Sequence, residues 1–532
     1  MIAQRFFSYR QIIVFLCFVL AGFTGISSSI SAQAYNVKDF GAKNDGIQKN
    51  TEAIKKAIDA AVKGGGGTVY FPAGTFLTGP IELKSNISIL LDAGAVIKFS
   101  DDFDDYLPMV QSRYEGIDVM SFHPLFYAWK ADNISITGHG TIDGQGKKWW
   151  DFAESLPAKP KGFRSKWQRI SDSLNYQVQA DPEVPSMIAR AFLRPPFIQP
   201  MYCKNVRIEG VTIQNSPFWT VNPEFCDNVV VDKVTINNPH SPNTDGINPE
   251  SCSNVHISNC HISVGDDCIT IKSGKDKAGR KMNAPAENYT ITNCTMLSGH
   301  GGVVIGSEMS GGVKKIVISN CIFDGTDRGI RIKTARGRGG VVEDIRVSNV
   351  VMKNIKLEAI TLNMFYDKAD AEPVTERTPT FRNMHFSGIT GNASQAGSLI
   401  GIEEMPIRDI TFNDIQLKTK TGFTVSNSEN IAFHNLQIDA EDGRAILVEK
   451  SSQIEVNGLK SLTPQLAVPL VEFRDVKEAF VHGCYQPVKT DVFLKVDGAA
   501  SENIALSSNN LRLAKDEIVK TTSAPVTAVR KQ

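Results

Sequence analysis

The chain has no surplus of either charge: Lys+Arg and Asp+Glu both number 57 in 532 residues. Without a basic excess, composition offers no ground for nucleic acid or an acidic membrane as a partner. Beyond residue 34 no apolar run is long enough to cross a bilayer. No Cys/His spacing resembles a metal site, so neither metal nor cofactor is expected. A separate second domain is also missing, although single cores stop growing at about 250–300 residues. A repeat architecture escapes that limit because it extends along one axis.

The apolar run absent elsewhere sits at the start. Arg5 and Arg10 precede Ile12 to Ile26, and Ala32-Gln33-Ala34 has the form of a cleavage site. Residues 1–34 therefore read as a secretory signal peptide, with Tyr35 opening a periplasmic or secreted mature chain. Cys17 leaves with the signal. The eight cysteines that remain are an even number in an exported protein, which invites a disulfide framework.

What fills the chain is a repeated unit. An Asn, an apolar residue, any residue and a second apolar residue lead to a small or apolar residue six steps on. Examples are Asn205-Val206-Arg207-Ile208 with Val211, Asn228 to Val234, Asn254 to Cys260 and Asn288 to Cys294. Lys315 to Cys321 and Asp344 to Val350 continue it, with later copies near Asn383, Asp409, Asn430, Gln453, Glu478 and Asn503. From Asn205 the steps are 23, 26, 34, 27 and 29 residues. Short β-branched strands and polar turns at this period mark an all-β solenoid, whose rungs stack to share one core. Repeated Asn at one phase suggests a turn ladder. Cys203, Cys226 and Cys252 share one phase and Cys260, Cys294 and Cys321 another, as small buried residues would.

Residues 35–100 read as an N-terminal cap with the first coils. Asn50 is positioned to cap a helix from Thr51 to about Val62, which would cover the open end of the solenoid. The solenoid itself spans 101–512. Residues 146–196, with Trp149, Trp150 and Trp167, break the period as an insertion on one face. Residues 513–532 form a polar tail expected to fray.

Chemistry concentrates between Asn243 and Thr334. The strand after Cys268 aligns with those after Gly302 and Gly329, so Arg331 and Lys333 face outward in rows beside Thr270 and Lys272. Asp266 and His300 lie at the same offset in consecutive units, hence on adjacent rungs about 5 Å apart. Four extra loop residues in the preceding rung bring Asp245 beside Asp267. Three carboxylates this close repel, so one holds a proton near neutral pH. A protonated acid plus a carboxylate that activates water is what acid/base hydrolysis of a glycoside requires. The cations suit a negatively charged sugar, and Lys275, Lys277, Arg280 and Lys281 extend that character on the adjoining loop.

Asn243-Thr244-Asp245, Gly265-Asp266-Asp267, Gly299-His300-Gly301 and Arg331-Ile332-Lys333 together resemble glycoside hydrolase family 28, the polygalacturonases. The resemblance runs from Tyr35 to the last coils and is strongest over residues 196–366. It implies a right-handed parallel β-helix and an inverting mechanism without metal. Asp266 is then the general acid, Asp245 and Asp267 hold and activate water, and His300 supports the acid. Arg331 and Lys333 bind a galacturonate carboxylate, and Tyr366 matches a tyrosine that the family places after the next strand. Lys272 is expected to join the substrate-binding set. The implied partner is homogalacturonan, acted on by a monomer. The 146–196 insertion departs from the family pattern and suggests end-wise rather than internal cutting. A Ca²⁺-dependent polysaccharide lyase and a non-catalytic glycan-binding solenoid are the alternatives. Their marks would be an unsaturated product and binding without cleavage.

Overall fold

The computed structural model describes residues 34–157, 164–181, 188, 190–238, 242–367 and 369–531. The chain winds as a parallel β-helix, with three ladders of parallel strands running along its axis. The first ladder stacks Asp132–Gly138, Lys204–Glu209, Asp227–Asp232, Ser253–Ser258 and Ala286–Thr292. The second stacks Thr141–Asp143, Thr212–Gln214, Thr235–Asn238 and His261–Val264. The third stacks Phe126–Trp129 on Ile198–Met201, passes through bridges at Val221 and Ile247, and continues in Ile269–Ile271, Val303–Ile305 and Ile330–Lys333. Further on, single bent strands such as Val341–Asn363 and Thr380–Ile400 pair along their whole length.

Alternation sets which residues face inward. Ile134, Val206, Val229, Val255, Tyr289 and Ile316 share one register row, all at 3% exposure or less. Burying each such side chain contributes roughly 1.5–3 kcal/mol, and stacking lets every rung cover its neighbours. The asparagines open each rung in the left-handed region, with φ of 57° at Asn133, 57° at Asn205 and 58° at Asn228. Their amides link rung to rung, Asn205 donating to Asn133 and Asn228 to Asn205, both at 2.8 Å. All eight described cysteines are free and buried, so the two ladders are packing rather than a disulfide framework.

Two expectations are corrected. The helix Thr51–Lys63 covers the N-terminal end with Ile54, Ala57, Ile58 and Ala61, but the Asn50 side chain does not cap it. Its oxygen accepts from the Lys43 amide at 2.7 Å and its nitrogen donates to Lys43, Gln48 and Leu77 carbonyls, because this side chain closes a loop instead. The tail does not fray. Ala514–Lys520 pairs with Thr490–Asp497, and Val529–Lys531 with Glu502–Ser507, since an open sheet edge accepts any backbone whatever its side chains. The inferred signal segment lies outside the described residues apart from Ala34, which begins the first strand. No helix among the described residues is long and apolar enough to cross a membrane.

The described part of 146–196 holds helices Lys147–Ser155, Lys166–Leu174 and Tyr176–Gln179. Trp149 is fully buried among the rings of Phe103, Tyr106, Phe122 and Phe192. A second excursion, the antiparallel hairpin Val110–Tyr114 and Ile117–Ser121, lies over the third ladder. The insertion packs behind it: Val178, Ile188 and Leu193 cluster with Tyr114, Ile117 and Val119.

Candidate active site

Two outward rows of the third ladder carry the site. One reads Tyr127, Gln199, Asn222, Asn248, Thr270, Val304, Arg331 and Thr361. The other reads Met201, Glu224, Glu250 and Lys272, and the next rungs bring Gly306 and Lys333 into it. Gly306 is required where it stands: it sits at φ 87°, and a Cβ would meet the Lys333 carbonyl oxygen at 2.3 Å. The turns entering the same ladder supply Asp245, Asp266, Asp267 and His300.

Asp245, Asp266, Asp267, Lys272, His300, Arg331 and Lys333 line one cleft of about 480 Å³ with Trp219, Asp327, Arg328, Arg338 and Tyr366. The nearest oxygens of Asp245, Asp266 and Asp267 lie within 4.8 Å of one another. His300 Nδ1 is 3.1 Å from Asp266 Oδ1, which also accepts the Asp267 amide at 2.9 Å. Asn248 and Thr270 donate to Asp245 Oδ2 at 3.2 and 3.1 Å. Lys333 Nζ sits 3.0 Å from Asp267 and the Arg331 guanidinium 3.6 Å from it. Tyr366 is 44% exposed, its ring 5.6 Å from Arg331 and 5.4 Å from Lys333. With Lys272 Nζ 3.9 Å from Asp245, three cations thus adjoin three carboxylates, which leaves little net negative charge to hold a divalent ion.

The acids differ in environment. Burial, then the charge of Asp266, pushes Asp245 well above the usual carboxylate range. Burial also opposes charge on Asp266 and is the largest single influence, but the hydrogen bond from His300 together with the charges of His300, Lys333 and Lys272 outweighs it and lowers Asp266. The same bond raises His300 above its ordinary 6.5. Because each carboxylate's charge raises the other, ionising Asp245 favours a proton on the Asp266–His300 pair. His300 holds that proton within hydrogen-bond reach.

Of the eight expected site residues, Asp245, Asp266, Asp267, His300, Arg331 and Lys333 converge as the register implies, and Tyr366 joins them where the family resemblance put it. Lys272 lines the cleft too, but it is almost fully buried and ion-paired with Glu308 at 2.7 Å. It is packed into the wall instead of being presented to a ligand. Of the loop cations, Lys275 reaches Glu115 at 3.4 Å and Arg280 donates to the Gly337 carbonyl at 2.5 Å, whereas Lys277 and Lys281 are exposed and do not line the cleft.

Sequence reasoning missed Glu308, Arg338 and the hairpin. Glu308 lies two residues past Gly306, the residue that shares the row of Lys272 and Lys333, so the register carried two positions further would have found it. The hairpin left only a faint mark, Glu115-Gly116 between alternating residues. Its Arg113 is 1% exposed and bonds Glu250 at 2.6 Å and Glu224 at 2.9 Å, with Asp118 at 2.8 Å. Ser112 donates to Gln199 at 2.7 Å. The hairpin therefore covers the outward rows up to the rung just before Thr270, and Glu115 at its tip lines the cleft.

Residues 190–434 match Glycosyl hydrolases family 28, and residues 34–157 match Rhamnogalacturonase A/epimerase, pectate lyase-like. A probable polygalacturonase of Vitis vinifera is 32% identical over 404 residues, 73% of this chain and 76% of its own length. An endo-polygalacturonase of Pectobacterium carotovorum is 29% identical, covering 71% of this chain and 86% of its own. The crystal structure of a hyperthermoactive exopolygalacturonase from Thermotoga maritima superposes with a TM-score of 0.69 at 34% identity, over 76% of this chain and 91% of the other.

Proposed function

Because the chain belongs to glycosyl hydrolases family 28, a glycoside hydrolase family whose relatives here are polygalacturonases, we propose that it hydrolyses α-1,4-galacturonosidic bonds of homogalacturonan from the chain end. The observation that carries this is the Asp266–His300 pair at 3.1 Å, beside Asp245 and Asp267 and one to two rungs from Arg331 and Lys333. The Asp266–His300 pair holds the proton for the leaving oxygen, and His300 can return one to Asp266 after each turnover. Asp245 and Asp267 accept hydrogen bonds from a water between them and draw off its proton. Arg331 and Lys333 take the carboxylate of the galacturonate on the leaving side, where charge-assisted bonds are strongest. No cofactor enters.

End-wise release rests on the hairpin. Names among the relatives divide between endo and exo, so they do not choose. With Arg113 anchoring it on Glu224 and Glu250, the hairpin occupies the rows that further sugars would need. The insertion expected to wall the cleft instead braces the hairpin from behind. Early products from polygalacturonate should therefore be one small sugar, and replacing residues 111–120 by a short turn should yield a ladder. A ladder from the unaltered enzyme refutes end-wise action.

Inversion is the family's stereochemistry as the sequence resemblance implies it. A second reading is favoured by one distance. Carboxylate oxygens within 4.8 Å are closer than the roughly 6.5–9.5 Å usual for inverting enzymes and suit a retaining pair. Two carboxylates facing one point, each held by its own donors, suit a shared water better than a lone nucleophile. NMR of fresh product decides: the inverted anomer supports the first reading and the retained anomer the second. We also carry export through residues 1–34 and a monomeric state as proposals.

A further inference from the structure

Four ionisable side chains buried beside the acids have no part in the reaction as proposed above. Asp245, Lys272, Glu308, Lys275 and Glu115 form a line of alternating charge, with successive gaps of 3.9, 2.7, 3.8 and 3.4 Å. None has a side chain more than 12% exposed. Dehydrating ions costs several kcal/mol each, and buried pairs are often no more stable than apolar replacements. Stability alone is therefore a poor reason to keep this line.

Its geometry offers another. The ion pair with Lys272 is the only one that Asp245 makes among the described residues. Asp245 otherwise faces Asn248, Thr270 and the charges of Asp266, Asp267 and Lys333. Lys272 has Trp219 at 4.7 Å on one side and Glu308 on the other. Glu308 in turn faces Lys275, Arg338 and the Ser307 hydroxyl. Lys272 is shared between two carboxylates, one in the reaction and one outside it.

We propose that Lys272 is a positioning residue that holds negative charge on Asp245, and that Glu308 tempers it by drawing Lys272 away. This rests on the hydrolase reading above. Without Lys272 the shared proton stays on Asp245, so the water keeps only Asp267 as an acceptor and the Asp266–His300 pair is less readily protonated. Without Glu308 the whole ammonium charge turns to Asp245 and favours its ionised form. Removing the two halves of one ion pair must therefore act in opposite directions.

The test is the pH profile of kcat/KM on polygalacturonate for the full chain and for Lys272→Met, Lys272→Arg and Glu308→Gln. Lys272→Met should move the acidic limb to higher pH by about one unit or more, lowering kcat with KM little changed. Lys272→Arg should restore the limb, and Glu308→Gln should move it to lower pH. A merely structural pair would scale all profiles without moving the limb, or move both variants the same way; either result overturns the proposal. Should Lys272→Met fail to fold, Glu308→Gln decides alone, and a limb unmoved or raised overturns it. An unaltered enzyme that releases nothing from polygalacturonate removes the hydrolase reading itself; an active one whose limbs do not separate removes only this proposal.

Discussion

Two stretches of the same ladder place ionisable residues in the same outward row and arrive at opposite ends. At Glu224 and Glu250 the row is covered by the hairpin, and both acids are fully buried against Arg113. One and three rungs on, Lys272 and Lys333 stand in the same row where the hairpin has ended and the cleft opens. The backbone geometry hardly changes between them. What changes is the lid: beneath it a dry pair anchors, whereas at the cleft Lys333 can meet a substrate and Lys272, packed into the wall, adjoins a carboxylate of the site. A row of charges in a solenoid is thus raw material, and the cover over it decides between scaffold and chemistry.

The largest expected effect lies on the open side. Asp266→Asn should lower kcat by about 10³-fold, within the usual span of general acid catalysis, while the melting temperature stays put. Reducing-end release and a thermal melt measure the two, and near-normal release sinks the acid assignment. On the covered side the outcome should reverse. Arg113→Met leaves a buried carboxylate without its partner and should cost about 3 kcal/mol of stability, read by denaturant unfolding. Glu224→Gln should cost far less, because burial and the neighbouring Glu250 already push Glu224 toward its neutral form. Equal losses in the two variants would erase the distinction between anchor and bystander.

Smaller effects sharpen the open side. His300 is raised above 6.5, so its proton persists through that value and is lost as pH climbs through the higher one. The alkaline limb of kcat/KM should therefore lie above pH 6.5 and move down in His300→Asn, where Asp266 alone must hold the proton. A limb that stays in place separates His300 from the acid. Last, Tyr366→Ala should raise KM modestly, by the roughly 0.5–1 kcal/mol of an exposed cation–π contact, since its ring is 5.4 Å from Lys333 and open to solvent.

The amino-acid order alone determined the solenoid, its register and the company of Asp245, Asp266, Asp267, His300, Arg331 and Lys333. It could do so because stacked rungs turn a spacing along the chain into a distance in space, and the β-branched alternation sets which side chains face out. The standing of Lys272, the involvement of Glu308 and the blocked end of the cleft were decided only by tertiary structure. Each depends on loops that leave the repeat, and a loop's landing place follows from what it packs against rather than from any period. The hairpin reaches Glu250 from Arg113 across 137 positions that no register connects. The insertion shows the same limit: its tryptophans marked it as a binding wall, yet Trp149 lies in an aromatic core and the wall is a neighbour that the sequence barely announced.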